Sequence, residues 1–525
     1  MPSAAPRLML AALGLCAALA AAPPARAATG DSPGDPLVVA YEGGAVTLDP
    51  IMRSETTTYA WQRNIFDTIT ILDAEGNLQP RIALAWKNLD PTTWRLTLRQ
   101  GVTFQNGAPM TAEDVGQSIM DTARNPKSQT REFVDDVSGF KVVDAHTIDV
   151  SFSKPDPIFP LHLAQVPVMP EALIKKEGRE AFANHPIGTG PYKFVSWLAD
   201  DHLDLTAWHG FWGSQPAFHY VKLESIPNSA TRLAALLSGQ VQVAEKIDPS
   251  DFARVRSSGR AYITTTPGER TIYLTMDDWR KTGSPGLPKG ATNPFLDPRV
   301  REAVRMALDV DLIRRKIFNG AAKVAAQFLP PGIEGHNPDA KPVPFDVAGA
   351  RKLLTEAGYP HGFTVRLDAT NDRYLQDSLV AQAIGGLLQA AGITVQVNAI
   401  PKAVFFPAVN KGAFTMYMAG WGNLDGISTW NSMFHCRDLK AGLGHVNRAH
   451  YCDPAADAVM AKASVDFDDA ARVKLIQQAY HTAERTDFGY LPLYFEDVIA
   501  GVANTVGYTS RKDEEILAWQ MTRKK

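Results

Sequence analysis

One segment, Trp94–Val115, constrains the fold of this 525-residue chain more than any other part of the sequence. From Trp94 to Leu98, apolar residues alternate with Arg and Thr, which is the period of a strand with one apolar and one solvated face. The Asn106-Gly107 pair tolerates the left-handed backbone of a tight turn. Thr111 can then cap a helix whose first turn is acidic, because exposed N–H groups at a helix start favour negative charge. The segment therefore predicts a strand, a tight turn and a capped helix.

The order of residue types in this segment resembles a signature of the family 5 solute-binding proteins of ABC importers. That family includes oligopeptide-, dipeptide-, glutathione- and nickel-binding proteins. Further segments resemble the family in the same order along the chain, namely Thr47–Pro50 (TLDP), Pro80–Trp86 (PRIALAW), Gly188–Tyr192 (GTGPY) and Asp297–Asp309 (DPRVREAVRMALD). The resemblance implies an α/β fold of the type II periplasmic-binding-protein kind, with two lobes, an additional inserted domain and a hinge.

The length alone predicts two or three domains of ~100–200 residues each. The resemblance implies a more specific division. Domain I is expected to be discontinuous, built from residues 28–70, 186–267 and 489–525. Domain II, residues 71–185, is expected to be inserted within it, and domain III is expected to cover residues 268–488.

The first 27 residues have the pattern of a secretory signal sequence. Arg7 precedes the apolar run Leu8–Ala22, and Ala25–Ala27 is a small-x-small cleavage site. A membrane-spanning helix needs ~18–20 apolar residues, and this run is shorter. Cys16 follows Leu15, whereas a lipoprotein signal requires a small residue before its cysteine. We therefore predict a cleaved signal sequence and a periplasmic protein without a lipid anchor.

The charge of the mature chain argues against polyanionic partners. Removing Arg7 and Arg26 leaves 51 basic residues against 56 acidic residues, a net charge of −5. This balance offers no basic patch for nucleic acid or for anionic lipid.

Two cysteines, Cys436 and Cys452, remain after the signal sequence. In an oxidising compartment they predict a disulfide that closes a short loop. The alternatives are unpaired thiols and a metal site, since His445 and His450 lie between them, although the spacing matches no common zinc pattern. We predict no resident metal and no cofactor.

The third region contains a β-α-β pattern. Thr364–Leu367 and Ile393–Val397 are predicted strands, the apolar-periodic segment Leu375–Ala390 is a predicted helix between them, and Phe414–Met418 is a further strand. Open α/β sheets bind ligands beyond the carboxyl ends of their strands. The ends of this region's strands are therefore candidate positions for a binding site.

Aromatic, amide and charged residues follow three predicted strand ends, and this mixture suits an organic ligand with polar ends. The first strand, Pro36–Tyr41, is followed by Glu42, and the other two ends lie in the NDRY and GWGNLD segments. The Gly444–Asn447 segment is a further candidate. The predicted ligand-binding residues are Tyr41, Glu42, Asn371, Arg373, Tyr374, Trp421, Asn423, Asp425 and Asn447.

The resemblance assigns a role to one acidic residue in this set. In peptide binders of the family, a carboxylate a few residues after a Gly-Trp pair holds the amino terminus of the ligand. Here the third residue after Trp421 is Leu424, and the acid comes one residue later, at Asp425. The displacement by one residue weakens the assignment of a peptide ligand.

The function implied by the resemblance is that of the periplasmic component of an ABC importer. Such a component captures a small organic solute, here a short peptide or a peptide-like compound, by lobe closure and delivers it to permease subunits in the inner membrane. An oligosaccharide stacked on Trp residues and a metal chelate are alternative ligands. A secreted hydrolase is the rival class, but the sequence contains no GxSxG, HExxH or phosphate-loop motif. We therefore predict a monomeric binding protein rather than an enzyme.

Overall fold

The computed structural model describes residues 29–524. The signal sequence predicted over residues 1–27 lies outside the described residues. In the part of the chain that is described, no helix is long and apolar enough to cross a membrane.

Nineteen strands and fifteen α-helices are present within residues 29–524. The strands are β1 (Leu37–Tyr41), β2 (Thr70–Leu72), β3 (Leu78–Pro80), β4 (Ala83–Asp90), β5 (Thr93–Leu98), β6 (Val137–Asp144), β7 (Thr147–Phe152), β8 (Tyr192–Leu198), β9 (His202–Ala207), β10 (Tyr220–Ser225), β11 (Val243–Glu245), β12 (Ala261–Met276), β13 (Ala322–Val324), β14 (Phe363–Thr370), β15 (Ile393–Ile400), β16 (Met416–Gly422), β17 (Tyr490–Ala503), β18 (Val506–Gly507) and β19 (Thr522–Arg523). The helices are α1 (Thr56–Gln62), α2 (Ala112–Arg124), α3 (Phe159–His162), α4 (Glu171–Glu177), α5 (Arg179–Asn184), α6 (Ser229–Ser238), α7 (Phe252–Ser257), α8 (Pro298–Met306), α9 (Val310–Lys316), α10 (Val347–Glu356), α11 (Asp377–Ala390), α12 (Lys402–Asn410), α13 (Gly426–Thr429), α14 (Pro454–Ala463) and α15 (Asp469–His481).

One large mixed sheet runs through the molecule in the order β15-β14-β16-β12-β17-β11-β1-β10-β9-β8, and β13 pairs with β17. We call the side with β1 and β8–β11 the first lobe and the side with β14–β16 the second lobe. The strand β1 is parallel to β10 and β11, and β14 is parallel to β15 and β16. The resemblance to a two-lobed α/β fold is confirmed.

The long strands β12 and β17 belong to both lobes. Their first half pairs Ala261–Pro267 with residues 497–503, next to β11. Their second half pairs Thr271–Thr275 with residues 490–495, next to β16. The register shifts between Pro267 and Thr271, so regular pairing is interrupted where the chain passes between the lobes. We call this interrupted stretch, residues 268–270 of β12 and the facing part of β17, the hinge region.

The segment Trp94–Val115 forms the predicted strand, turn and helix. Strand β5 lies inside a separate four-stranded sheet with the order β4-β5-β7-β6. Thr111 caps α2 by accepting a hydrogen bond from the Asp114 backbone N–H, and the Asp114 carboxylate accepts one from the Thr111 backbone N–H. Apolar side chains of β5 and α2, such as Leu96 and Ile119, are fully buried in one hydrophobic core beside this sheet. The prediction for this segment is confirmed.

The β-α-β unit of the second lobe is also as predicted. Strands β14 and β15 pair in parallel over their whole length, from Phe363 against Ile393 to Thr370 against Ile400. Helix α11 packs its buried face on both strands. Gly392, after the helix, has a φ of 100°, and a Cβ on Gly362 would lie 1.8 Å from the Gly392 carbonyl oxygen, so the tight start of both strands requires glycine.

Candidate functional site

A cavity of about 410 Å³ lies between the two lobes. This size is typical of a site for a small organic ligand. Most of its walls come from four parts of the chain: the loop and helix around α1, the hinge region of β12, the ends of the second-lobe strands, and a charged segment near the carboxyl terminus. Residues of the segment 72–165 and the loop with Arg448 complete the lining. The lining residues are Ser54, Glu55, Thr56, Tyr59, Arg63, Leu72, Glu132, Phe133, Gln165, Glu269, Arg270, Tyr273, Arg373, Tyr374, Phe406, Ala419, Gly420, Trp421, Gly422, Asn423, Leu424, Ser428, Thr429, Ser432, Arg448, Lys512, Asp513, Glu514 and Glu515.

The hinge contributes a paired cation to the cavity. Arg270 is buried, and its guanidinium donates to both carboxylate oxygens of Glu514, at 2.8 and 3.1 Å. Its Nε also lies 3.7 Å from Oε2 of Glu496. Burial alone would lower the pKa of Arg270, but the two carboxylates raise it above its ordinary value. Arg270 and Glu514 therefore both stay charged at the cavity wall, because each partner stabilises the ionised form of the other.

A second pair closes the first-lobe side. Arg63 follows α1, and its Nε lies 3.2 Å from Oε1 of the buried Glu515. Burial raises the pKa of Glu515 to about 7 despite this partner. The Oε2 atom of Glu515 and the phenolic oxygen of Tyr59 are buried without a hydrogen-bond partner among residues 29–524. Unpaired polar atoms at the wall of a cavity are available to a ligand.

An acidic side chain without a cationic partner lies beside these pairs. Glu269 precedes Arg270 in β12, and within the described chain no Lys, Arg or His nitrogen lies within 4.0 Å of its carboxylate. Burial and the neighbouring acids Asp513 and Glu514 raise the pKa of Glu269 to about 8, against an opposing effect of Lys512. A ligand cation would favour the ionised carboxylate, so this position suits a positively charged group.

The second-lobe wall combines aromatic rings with free guanidinium groups. Trp421 and Tyr374 line the cavity, and the phenolic oxygen of Tyr374 donates to the Gly420 carbonyl at 3.2 Å. The Arg373 guanidinium lies 5.5 Å from the centre of the Tyr374 ring. Across residues 29–524, neither Arg373 nor Arg448 has a carboxylate within 4.0 Å. These two groups are positioned to bind anions, while the rings provide apolar contact area.

Of the nine predicted ligand-binding residues, four line the cavity, and these are Arg373, Tyr374, Trp421 and Asn423. Asn423 is buried, and its amide donates to the Glu269 carbonyl at 2.8 Å and to the Thr271 hydroxyl at 3.2 Å. Its hydrogen-bonding capacity therefore holds the strand end of the second lobe against the hinge.

Three predicted residues from the first two strand ends lie away from the cavity. Tyr41 is fully buried in the first-lobe core, and its hydroxyl donates to the Ile516 carbonyl at 2.6 Å. Glu42 forms an ion pair with Lys246. Asn371 is exposed, and its backbone N–H donates to the Ile400 carbonyl at 3.1 Å. The geometry therefore gives no support to direct ligand contacts by these three residues.

Asp425 is buried behind the cavity wall. Its carboxylate caps helix α13 by accepting a hydrogen bond from the Ser428 backbone N–H at 2.6 Å. Its Oδ2 lies 3.6 Å from Nε2 of His162, and Nδ1 of His162 lies 3.1 Å from Oδ2 of Asp156. Burial would lower the pKa of His162, but the two carboxylates raise it to about 10. Asp425 therefore joins α13 of the second lobe to α3, and it does not line the cavity.

Asn447 braces the loop that carries Arg448. Its amide donates to the carbonyls of His435, at 3.0 Å, and Tyr451, at 2.6 Å, and its oxygen accepts from the Tyr490 hydroxyl at 3.3 Å. The loop is closed by the disulfide between Cys436 and Cys452, whose Cα atoms are 4.4 Å apart. The predicted disulfide is present in the structure. The residue that reaches the cavity is Arg448, one position after the predicted Asn447.

The sequence interpretation missed the charged carboxyl-terminal segment Arg511–Glu515. Five consecutive charged residues were a visible signal, but such a run is usually solvated. In the structure Arg511 and Glu515 are buried, and Glu514 and Glu515 are held by cations from distant parts of the chain. The sequence interpretation also missed Glu269 and Arg270, which nothing in the strand pattern marked as different from other β12 residues.

The amino-acid sequence is similar to those of known solute-binding proteins. A family model described as bacterial extracellular solute-binding proteins, family 5 middle, matches residues 77–440. The glutathione-binding protein GsiB of Salmonella typhi is 26% identical over 505 residues, covering 94% of this chain and 93% of that protein. GsiB of Escherichia coli O157:H7 is 26% identical over 478 residues, covering 88% of this chain and 90% of that protein.

Solved structures share the fold at lower sequence identity. The periplasmic binding protein DppA of Helicobacter pylori, in complex with the peptide STSA, has a TM-score of 0.77 and 22% identity, with coverage of 93% of this chain and 98% of that chain. NikZ of Campylobacter jejuni, in complex with Ni(L-His), has a TM-score of 0.78, 22% identity, and coverage of 93% and 99%. These similarities show a common two-lobed fold across proteins that are named for different ligands.

Proposed function

The chain belongs to family 5 of the bacterial extracellular solute-binding proteins, and on this premise we propose that it captures a short peptide or peptide-like solute between its lobes. The protein delivers that solute to the permease subunits of an ABC importer. It acts as a monomer, does not bind nucleic acid, and releases its ligand chemically unchanged. Residues 1–27 act as a cleaved signal sequence that brings the protein to the periplasm without a lipid anchor.

The observation that carries the proposal is the charge pattern of the cavity. Arg373 and Arg448 on the second-lobe wall are cations without carboxylate partners, and Glu269 in the hinge is an acid without a cationic partner, within the described residues. A peptide carries a carboxylate and an ammonium group at its two ends, so it complements this pattern. Aromatic side chains between the charges, such as Trp421 and Tyr374, suit the apolar parts of such a ligand.

Lobe closure is part of the proposal. We propose a division into domain I (28–70, 186–267 and 489–525), domain II (71–185) and domain III (268–488). With these bounds most of the cavity lining belongs to domains I and III, and Leu72, Glu132, Phe133 and Gln165 belong to domain II. Closure removes water from the cleft, and charge pairs gain strength in a medium of lower dielectric constant. The hinge in β12 and β17 provides a flexible connection for this motion.

The test begins with native mass spectrometry of the protein purified without refolding, since an enclosed cleft retains a tightly bound ligand. Calorimetry then compares Ala-Ala, glutathione, maltotriose and the nickel–histidine chelate. We expect binding of at least one of the two peptides, with its mass unchanged after incubation. Binding of the saccharide or the chelate alone would contradict the proposed ligand class, and a cleaved peptide would contradict the binding role.

A pair of matched variants connects binding to the cavity. Arg373→Gln should weaken peptide binding by ~2–5 kcal/mol, the usual effect of truncating one partner of a desolvated charge pair. Arg254→Gln makes the same change in charge on an exposed helix outside the cavity and should leave the affinity unchanged. Equal affinities of the two variants would remove Arg373 from the site.

A further inference from the structure

Arg448 is a cation without an acidic partner at the wall of the cavity. The only hydrogen bond from its side chain to another described residue is from Nε to the amide oxygen of Asn410, at 2.6 Å. Within residues 29–524, no carboxylate lies within 4.0 Å of the guanidinium. Its two terminal nitrogens therefore have no acceptor among residues 29–524, although the residue is half-buried.

The neighbours of Arg448 at the cavity wall are aromatic. Phe406 and Tyr273 line the cavity with it, and Tyr273 is only 2% exposed. Tyr417 is 3% exposed, and its phenolic oxygen is buried without a hydrogen-bond partner in the described part of the chain. Burial raises the pKa of Tyr417, and the positive charge of Arg448 is the largest effect that opposes this rise. A ligand anion here would gain the guanidinium as a charged hydrogen-bond partner.

The loop that carries Arg448 is held in place independently of any ligand. The Asn447 amide ties the loop to the backbone on both sides, and the Arg437 guanidinium donates to the Asn447 carbonyl at 3.0 Å. The disulfide between Cys436 and Cys452 closes the loop. A guanidinium fixed in this way loses little conformational entropy when it binds an anion.

The cavity thus holds more free guanidinium groups than one peptide carboxyl terminus requires. Arg373 lies near the hinge, where its charge adds to those of Arg270 and Lys246 in lowering the pKa of Glu514 against burial. Arg448 lies near Tyr273 and Tyr417. The two cations therefore have different neighbours on the same wall. We propose that Arg448 is a specificity-determining residue that binds a second carboxylate, so that the preferred solutes are acidic peptide-like compounds. This inference rests on the proposed function and names the chemical class of its ligand.

Calorimetry with matched dipeptides tests the inference. Glu-Ala is compared with Gln-Ala, and Ala-Glu with Ala-Gln, because each pair differs only in one carboxylate against one amide. In the wild-type protein we expect the acidic member of at least one pair to bind about tenfold or more tightly than its amide. Equal affinities within both pairs would overturn the inference, whereas a failure of all four dipeptides to bind would contradict the proposed function itself.

Two variants assign the preference to Arg448. Arg448→Gln should reduce the acid-to-amide preference to less than about twofold. Arg448→Lys keeps a positive charge and should retain part of the preference. Arg254→Gln is the matched control on the exposed surface. If Arg448→Gln does not fold, as judged by thermal unfolding, Arg448→Lys still decides the question, since an undiminished preference in either folded variant would overturn the assignment.

Discussion

Replacing Asp425 by asparagine removes one charge from a buried ion pair and leaves the helix cap in place, because asparagine is as good an N-cap as aspartate. The carboxylate caps α13 and lies 3.6 Å from Nε2 of His162, a buried histidine whose other ring nitrogen is 3.1 Å from Asp156. The variant therefore keeps an imidazolium in the interior with one carboxylate instead of two.

The expected loss of stability follows from two estimates. Breaking a buried ion pair by removing one partner typically costs ~3–5 kcal/mol. The two carboxylates, acting against burial, raise the pKa of His162 from 6.5 to about 10, and at about 1.4 kcal/mol per pH unit this corresponds to roughly 5 kcal/mol shared between Asp156 and Asp425. We expect Asp425→Asn to lower the free energy of unfolding by about 3 kcal/mol.

Urea unfolding near neutral pH measures this loss. Asp468 provides a matched control, since it caps α15 from an exposed position without an ion pair among the described residues. Asp468→Asn should change the stability by less than about 0.5 kcal/mol. If Asp425→Asn is as mild as this control, the ion pair with His162 contributes nothing to stability and the argument is refuted.

The pH dependence provides an independent check. Because the pKa of His162 is higher in the folded state than in the unfolded state, its stabilisation is fully present below pH 6.5 and is lost as the pH rises towards about 10. The pKa of Asp425 is lowered, mainly by His162 acting against burial, so its contribution is lost in acid. The difference between wild type and Asp425→Asn should therefore be largest between about pH 5 and 7 and should shrink at alkaline pH. A difference that stays constant over this range would exclude the histidine as the partner.

Three further predictions concern other parts of the chain. Loss of the disulfide between Cys436 and Cys452 should lower the free energy of unfolding by ~3 kcal/mol, as expected for a loop of 16 residues. Either reduction or a Cys436→Ser/Cys452→Ser double variant removes the bond. Thermal unfolding with and without reductant measures the loss. Burial and neighbouring acids raise the pKa of Glu269 to about 8, so ionisation of its carboxylate destabilises the fold. Urea titrations should show Glu269→Gln gaining stability relative to wild type as the pH rises from 4.5 to 8. The absence of such a gain would show that the carboxylate is solvated. Thr111→Ala should lose about 1 kcal/mol through the capping box, whereas Thr111→Ser should lose little, and equal urea midpoints for the two variants would contradict the role of the cap.

Local patterns in the sequence predicted much of the fold. The strand, turn and helix of Trp94–Val115 and the β-α-β unit of the second lobe have strong periodicity and clear caps, and both are confirmed. Strand β16 extends further than its predicted end at Met418, because Gly420 and Gly422 pair with Ile272 and Arg270 of β12. Glycine is unfavourable in strands, and only pairing with a distant strand, which the sequence does not reveal, overcomes that preference.

The binding site was less accessible to prediction. Arg373 and Tyr374, two of the predicted ligand-binding residues, line the cavity, because they follow a strand whose end could be read from the sequence. Arg448 was missed by one residue, since a loop without periodicity does not indicate which of its side chains faces inward. The burial of Glu515 depends on Arg63, more than 400 residues earlier in the chain, and no local pattern encodes such a pair.

The interrupted pairing between β12 and β17 has a consequence for how binding and motion are linked. Glu269 and Arg270 lie within the stretch where the register shifts, so the hinge region also lines the cavity. A solute that binds these side chains therefore contacts the same β12 backbone that would change conformation when the lobes close. Substitutions here should change the rate of opening and the rate of ligand release together, and affinity alone would not separate the two effects.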